Sequence, residues 1–176
     1  MLEKNDVGNI CHEHLEYYSY ESLVHLFEKN ELEIFKVEEN SINGGSYRLF
    51  ARHLKEGSIA YPEKLTKQDY QDFYKRIQEN KQKCVDFITQ EVSKGKKVYV
   101  YGASTKGNTI LQYYGLDNSL IAGAADKSQE KWGKYTVGKH IPIVPEEEAR
   151  KKADYFFVLP WAFFNTSYER ENEWLQ

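Results

Sequence analysis

The spacing of apolar positions changes along the chain, and each change marks an element. In YESLVHLFEKNEL, Leu23, Val24, Leu26 and Phe27 are followed by a polar end, which predicts a short helix from about Tyr20 to Lys29. ELEIFKVEE then alternates at Leu32, Ile34, Phe35 and Val37, and SYRLFARHL sets Tyr47, Leu49 and Ala51 against Arg48, Phe50 and Arg52. Two alternating runs joined by the turn Asn43-Gly44-Gly45 predict an antiparallel strand pair. KEGSIAYPEK carries Gly57 and Pro62 and no periodic pattern, so a boundary falls there. Thr66 with Asp69 reads as a capping box. It opens a long helix whose apolar face is Tyr70, Phe73, Tyr74, Ile77, Cys84, Val85, Ile88 and Val92, ended by Gly95.

Beyond Gly95 short β-rich runs alternate with helical ones. KKVYVYG, SLIAGAAD, IPIV and DYFFVLPW read as strands; TKGNTILQYYGL and PEEEARKKA read as helices, the latter with Pro145 in its first turn. FNTSYERENEWLQ reads as a terminal helix. Strands and helices that alternate over short connections predict an α/β fold, a Rossmann-like parallel sheet with flanking helices.

Composition narrows the chemistry. The 176 residues fit one large domain or two small ones, and a net charge of −3 gives no basic field for nucleic acid. Tyrosine is abundant, at 14 residues, which suits ligand contacts and an ordinary core alike. Cys11 and Cys84 make neither a disulfide framework nor a zinc set, no apolar run is long enough for a membrane span, and MLEKND is no signal peptide. A reduced, cytoplasmic, soluble protein is the expectation.

Two stretches carry candidate chemistry. VYGASTKGN follows a strand and opens a helix, the place where a parallel sheet binds phosphate on free amides. Gly102, Ser104 and Gly107 give a G-x-S-x-x-G pattern, and Asp126 follows about 20 residues beyond Gly107, where a dinucleotide fold places its ribose acid. Ser104 puts a side chain where such folds need bare backbone, which argues against NAD. Ser104, Thr105 and Lys106 instead offer hydroxyls and a cation to a diphosphate. The alternative is a tight strand-to-helix turn with an exposed lysine, Asp126 merely ending its strand. Trp132 and Tyr135 offer either a base-stacking surface or a cover for the sheet edge. In NICHEHLEYYS, His12 and His14 do not have the spacing of a helical metal pair, so no metal is expected. A histidine beside a carboxylate, His14 with Glu13, can move a proton near neutral pH or can form a structural hydrogen-bond cluster.

NICHEHLEYYS, NSINGGSYRLFA, VYGASTKGNTILQYYGLD, ADKSQEKWGKYTVGKHIPIV and DYFFVLPWAFFN occur in that order, and together they resemble the sugar C-methyltransferase family. Those enzymes place a methyl group from S-adenosylmethionine on a ring carbon of a nucleotide-linked keto-deoxysugar. The resemblance implies that residues 1–55 are the end of a class I methyltransferase domain, 56–65 a linker, and 66–176 the Rossmann-like C-terminal domain. It implies His14 as general base, with Glu13 orienting its imidazole, and a tyrosine of the family replaced here by Cys11. The loop Gly102, Ser104, Thr105, Lys106 and Gly107, with Asp126, is then the expected contact for the nucleotide-sugar, a dTDP-sugar first. The family's zinc module, its early S-adenosylmethionine loop and a last strand have no counterpart in the sequence. S-adenosylmethionine is therefore expected in the intact enzyme and not on this chain alone, which is expected to be inactive. The apolar faces of residues 20–54 would be left open to self-association. Two other readings stand beside this one: an NAD(P)-binding oxidoreductase domain, and a non-catalytic nucleotide-sugar-binding subunit.

Overall fold

The computed structural model describes residues 1–40, 45–63, 65–159 and 164–175. Two compact units divide the chain. The first takes in Met1–Asp6 and His12–Tyr74, the second Val7–Cys11 and Lys75–Gln176. Among the described residues no helix is long and apolar enough to cross a membrane.

In the first unit, helix α1 covers Tyr20–Lys29. Its start is fixed by a reciprocal cap, in which the Ser22 amide donates to Ser19 Oγ and the Ser19 amide to Ser22 Oγ at 2.9 Å. Strands β1 (Leu32–Asn40) and β2 (Ser46–His53) pair antiparallel from Leu32↔His53 to Asn40↔Ser46. The register shifts between Ile34 and Lys36, so Phe35 interrupts the alternation: Ile34 is fully buried and Phe35 is exposed. Residues 41–44, which hold most of the expected glycine turn, lie outside the described residues.

Glu33 governs this unit. It points inward from β1 and is fully buried, yet it carries a carboxylate. Its Oε2 accepts the successive amides of Lys55, Glu56 and Gly57 at 2.9, 2.7 and 2.7 Å, and its Oε1 accepts Arg52 Nε at 2.6 Å. Three consecutive amides make an anion-binding nest, which Gly57 closes with a φ of 93°. Segment 55–57, whose sequence shows no periodicity, is thereby tied to the sheet. A second set of acids holds phenols: Tyr47 donates to Glu63 Oε1 at 3.0 Å and Tyr61 donates to Glu39, with the Tyr47 and Tyr61 rings edge to face at 5.4 Å. Burial, then the Glu63 carboxylate, pushes the Tyr47 hydroxyl well above the ordinary phenol range.

Helix α2 covers Lys67–Ser93. Its capping box is realised, with the Thr66 amide and hydroxyl both donating to Asp69 Oδ2 at 2.7 and 2.6 Å. Phe73, Ile77 and Ile88 of the expected apolar stripe are buried, whereas Tyr70 and Tyr74 remain exposed. A tyrosine hydroxyl tolerates that position as a leucine would not.

The second unit is built on four parallel strands in the order β5-β4-β3-β6. They are β3 (Val98–Tyr101), β4 (Ile121–Asp126), β5 (Ile143–Pro145) and β6 (Tyr155–Val158). Helix α3 covers Thr105–Tyr114, α4 Glu146–Arg150 and α5 Phe164–Arg170. Pro145 ends β5 and caps α4, one step ahead of the expected first turn. All four residues of β3 are buried, as a central strand covered on both faces requires. Tyr99 packs with Ala125 and Ala149 on one face, with Val144, Ala153 and Phe156 around them. Gly123 makes room there, since a Cβ at that position would stand 2.7 Å from the Tyr99 ring. Phe157 points to the other face, where it stacks on Tyr114 of α3.

The C-terminal segment is clamped on the Tyr99 face. Glu171, itself buried, accepts the Tyr101 hydroxyl at 2.6 Å and two nitrogens of Arg150 at 2.6 and 2.7 Å. Arg170 bonds Glu146 at 2.9 Å and lies over the Tyr101 ring. The paired arginines hold the Glu171 carboxyl below the usual carboxylate range.

The buried Glu33 makes the first unit sensitive to acid. The Lys55 amide, then the Arg52 guanidinium and the Glu56 and Gly57 amides, hold its carboxyl down at about 2, against an ordinary 4.5. A carboxyl depressed in the folded state stabilises above its unfolded value, and that contribution is lost as pH falls through the interval to the folded value. Hydrogen exchange at the amides of residues 55–57 should therefore accelerate as pH drops from about 4.5 to about 2, once corrected for intrinsic rates. Glu33→Gln should show that loss of protection already at pH 7. Unchanged protection in the variant would remove the carboxylate from this role.

Candidate functional site

The loop Gly102–Gly107 leaves the C-terminal end of β3 and enters α3. Strand order reverses at β3, since β4 and β5 lie on one side of it and β6 on the other. In open parallel sheets this reversal, at the carboxyl ends of the strands, is where ligands bind. Gly102 turns the chain with a φ of 91°, a conformation that favours glycine, and its amide donates to Ala125 O at 2.7 Å. Ser104 is the N-cap of α3: its Oγ accepts the Gly107 amide at 3.1 Å. The side chain that distinguishes this loop from a bare dinucleotide turn is thus engaged by its own helix.

Gly107 faces inward. A Cβ there would meet Leu159 Cδ1 at 2.7 Å, so α3 approaches the end of β6 more closely than any side chain allows. Lys106 is half-buried in the first turn of α3, and the 3-10 turn Val7–Asn9 packs on its stem through Gly8, whose Cβ would stand 3.3 Å from Lys106 Cβ. Among the described residues the Lys106 ammonium makes no ion pair. Thr105 begins the helix, half-buried, and its carbonyl accepts the Thr109 hydroxyl at 3.4 Å.

Asp126 ends β4 beside the loop, and protein donors already surround it. Oδ2 accepts the Ala103 amide at 2.9 Å and Lys131 Nζ at 3.0 Å, and Oδ1 accepts the Ser128 amide at 2.8 Å. Lys131 also donates to Ala103 O at 2.9 Å, and the Trp132 indole donates to Asp126 O at 2.7 Å. Burial by itself would raise the Asp126 carboxyl, but the Ser128 and Ala103 amides and the Lys131 ammonium outweigh it and hold it low. Asp126 therefore fastens the loop to the end of β4. Trp132 uses its indole N–H to close the same knot, while Tyr135 bridges Pro142 beside β5 with its ring exposed.

The other candidate residues belong to the first unit. His12, Glu13 and His14 lie exposed on a segment without regular structure that leads into α1. The His14 ring meets Tyr17 edge on at 6.2 Å, and the neighbouring Tyr18 hydroxyl donates to Glu16. Cys11 is buried and belongs to the second unit. Among the described residues no three metal-ligating side chains converge.

Within the second unit the structure brings together Gly102, Ser104, Thr105, Lys106, Gly107 and Asp126, and it adds residues that pattern reading passed over. Ala103 contributes both its amide and its carbonyl, and Lys131 reaches back from the turn after β4. A lysine within two turns of a strand-ending acid was the available signal for it.

The profile described as "C-methyltransferase C-terminal domain" matches residues 41–176, which include the loop, Asp126 and Lys131. The chain belongs to that family. It is also 31% identical over 189 residues to the C-methyltransferase NovU of Streptomyces niveus, an alignment covering 100% of this chain and 45% of that protein. The chain thus spans less than half the length of this relative. A C-methyltransferase C-terminal domain is accordingly what carries the knotted loop, and His14 and Glu13 lie before the stretch matched by the family profile.

The tight seat of Gly107 is directly testable. Gly107→Ala should destabilise the protein by roughly 1–3 kcal/mol in urea unfolding, as overpacking does. In a Leu159→Ala background the same change should cost clearly less, because the closest contact, with Leu159 Cδ1, is removed while the tighter-than-usual approaches to Ser104 Oγ at 3.1 Å and Leu159 Cβ at 3.3 Å remain. An equal cost in both backgrounds would show that Leu159 is not what demands the glycine.

Proposed function

We propose that this chain is the substrate-holding part of an S-adenosylmethionine-dependent C-methyltransferase that acts on a nucleotide-linked keto-deoxysugar. The observation that carries the reading is the glycine loop at the reversal of strand order, lying within a match to a C-methyltransferase C-terminal domain. The loop offers the start of a ten-residue helix and the ammonium of Lys106, which among the described residues makes no ion pair, a setting for the ligand's diphosphate. The nucleotide-sugar, a dTDP-sugar first, is the partner that this chemistry recognises.

In this reading His14 is the general base. The ketone acidifies the neighbouring C–H, His14 accepts that proton, and the electron pair becomes an enolate. Glu13 orients the imidazole and balances its charge once protonated. S-adenosylmethionine, the methyl donor of the intact enzyme, does not fit the residues of the loop. The nearest acid, Asp126, is surrounded by protein donors, and the cations Lys106 and Lys131 would oppose a sulfonium. No step of methyl transfer is assigned to this chain, which by itself is not expected to methylate.

Calorimetric titration of the full chain with dTDP should give binding, and Lys106→Ala should weaken it about ten-fold or more. S-adenosylmethionine should give no heat. Absence of dTDP binding would return the loop to a structural turn, and binding of S-adenosylmethionine would mean that the cofactor assignment is wrong. The base has its own test. In D2O, His14 should exchange the acidified C–H of a dTDP-linked keto-deoxysugar for deuterium, seen by NMR, and His14→Gln should not. Equal exchange by both proteins would remove His14 from the role.

A further inference from the structure

Lys131 is unlike the other lysines of the second unit. Its ammonium reaches from the turn Gln129–Lys131 to the glycine loop, where it donates to Ala103 O at 2.9 Å and to Asp126 Oδ2 at 3.0 Å. An ammonium has three N–H donors. Two are used here, and among the described residues the third has no protein acceptor, while 42% of the side chain is open to solvent. Two bonds to groups on different elements fix the head of a side chain that would otherwise lose rotamer freedom on meeting a ligand. The result is a pre-placed cation with one free donor at the residue that begins the turn into α3.

We propose that Lys131 is a specificity-determining residue of the nucleotide-diphosphate site, giving its free N–H and its charge to a phosphate held at the glycine loop. The inference rests on the reading of that loop as a diphosphate site. Lys106 approaches from within α3, whereas Lys131 comes from the far side of β4, so the two cations reach the loop from separate elements. Lys131 also covers Asp126. Without its ammonium, the Asp126 carboxylate would present an unbalanced negative charge beside the Ala103 amide, and a phosphate would be repelled from the place where the helix start attracts it. The residue thus selects for anionic ligands in two ways, by attraction and by masking a repelling acid. A ligand without phosphate gains from neither, so Lys131 should separate dTDP from thymidine.

The test uses the full chain and titrates wild type, Lys131→Met and Lys131→Arg with dTDP, inorganic pyrophosphate and thymidine, each over a range of salt. Lys131→Met keeps the stem and removes the charge. It should weaken dTDP and pyrophosphate about ten- to one-hundred-fold, reduce the salt dependence of binding, and leave any thymidine binding unchanged. Lys131→Arg should restore most of the phosphate affinity, since it keeps the charge. A purely structural lysine would instead lower the melting temperature and weaken all three ligands together, with the salt dependence unaltered. That pattern, or wild-type affinity for dTDP in a folded Lys131→Met protein, would overturn the proposal. If wild type itself fails to bind both dTDP and pyrophosphate, the underlying reading of the loop falls first, and the inference falls with it.

Discussion

The Asp126 carboxylate takes up the Ala103 amide, the Ser128 amide and the Lys131 ammonium, and the placement of the glycine loop depends on those bonds. A loop between a buried strand and a helix has amides that the sheet does not satisfy, and a polar group left unpaired there is costly. Asp126 meets part of that need from the neighbouring strand, Ser104 meets more from within the loop, and Gly107 lets the helix close onto β6. Charge, cap and missing side chain fix one short turn together, and each would be a poor choice without the others.

The same solution recurs where the sequence pattern is least regular. Glu33 gathers the amides of residues 55–57, and Asp154 takes the Lys97 amide at 2.8 Å at the start of β3. Glu171 holds Tyr101 and Arg150 and so ties the C-terminal segment to the central strand. Taking a carboxylate out of water is unfavourable unless its lone pairs are used, and several donors use those of the buried Glu33 and Glu171, whereas Asp154 makes its bonds at the surface. Among the described residues no buried side-chain nitrogen or oxygen lacks a hydrogen-bond partner. Many of the tyrosines follow the same logic, with rings in apolar packing and hydroxyls on acids: Tyr47 on Glu63, Tyr101 on Glu171, Tyr155 on Glu91.

The two units carry different candidate residues. The second unit holds the loop and its two lysines; the first holds an exposed HEH segment and an α-helix with a two-stranded sheet, and the family match, from residue 41 onward, includes residues of both. A two-stranded sheet has little stability of its own, and Phe35, Tyr47 and Leu54 are exposed in this unit. Glu33 and the phenol–acid pairs are what the first unit sets against that weakness.

The sequence by itself determined the elements. Period-2 and period-3.6 spacing, Thr66 at a helix start and Gly95 after a helix end locate α1, α2, α3 and the strands, because those signals act over a few residues of backbone. The G-x-S-x-x-G loop and Asp126 were legible for the same reason, as was the alternation that makes a parallel sheet. Tertiary structure alone decided what the marked residues do. That Ser104 caps its own helix, that Gly107 is required by Leu159, and that Asp126 binds the loop depend on contacts across strands whose spacing no local pattern encodes. Lys131 is the plainest case: in sequence it is one lysine among many on a polar stretch, and only the return of that turn beside β3 brings its ammonium to Ala103.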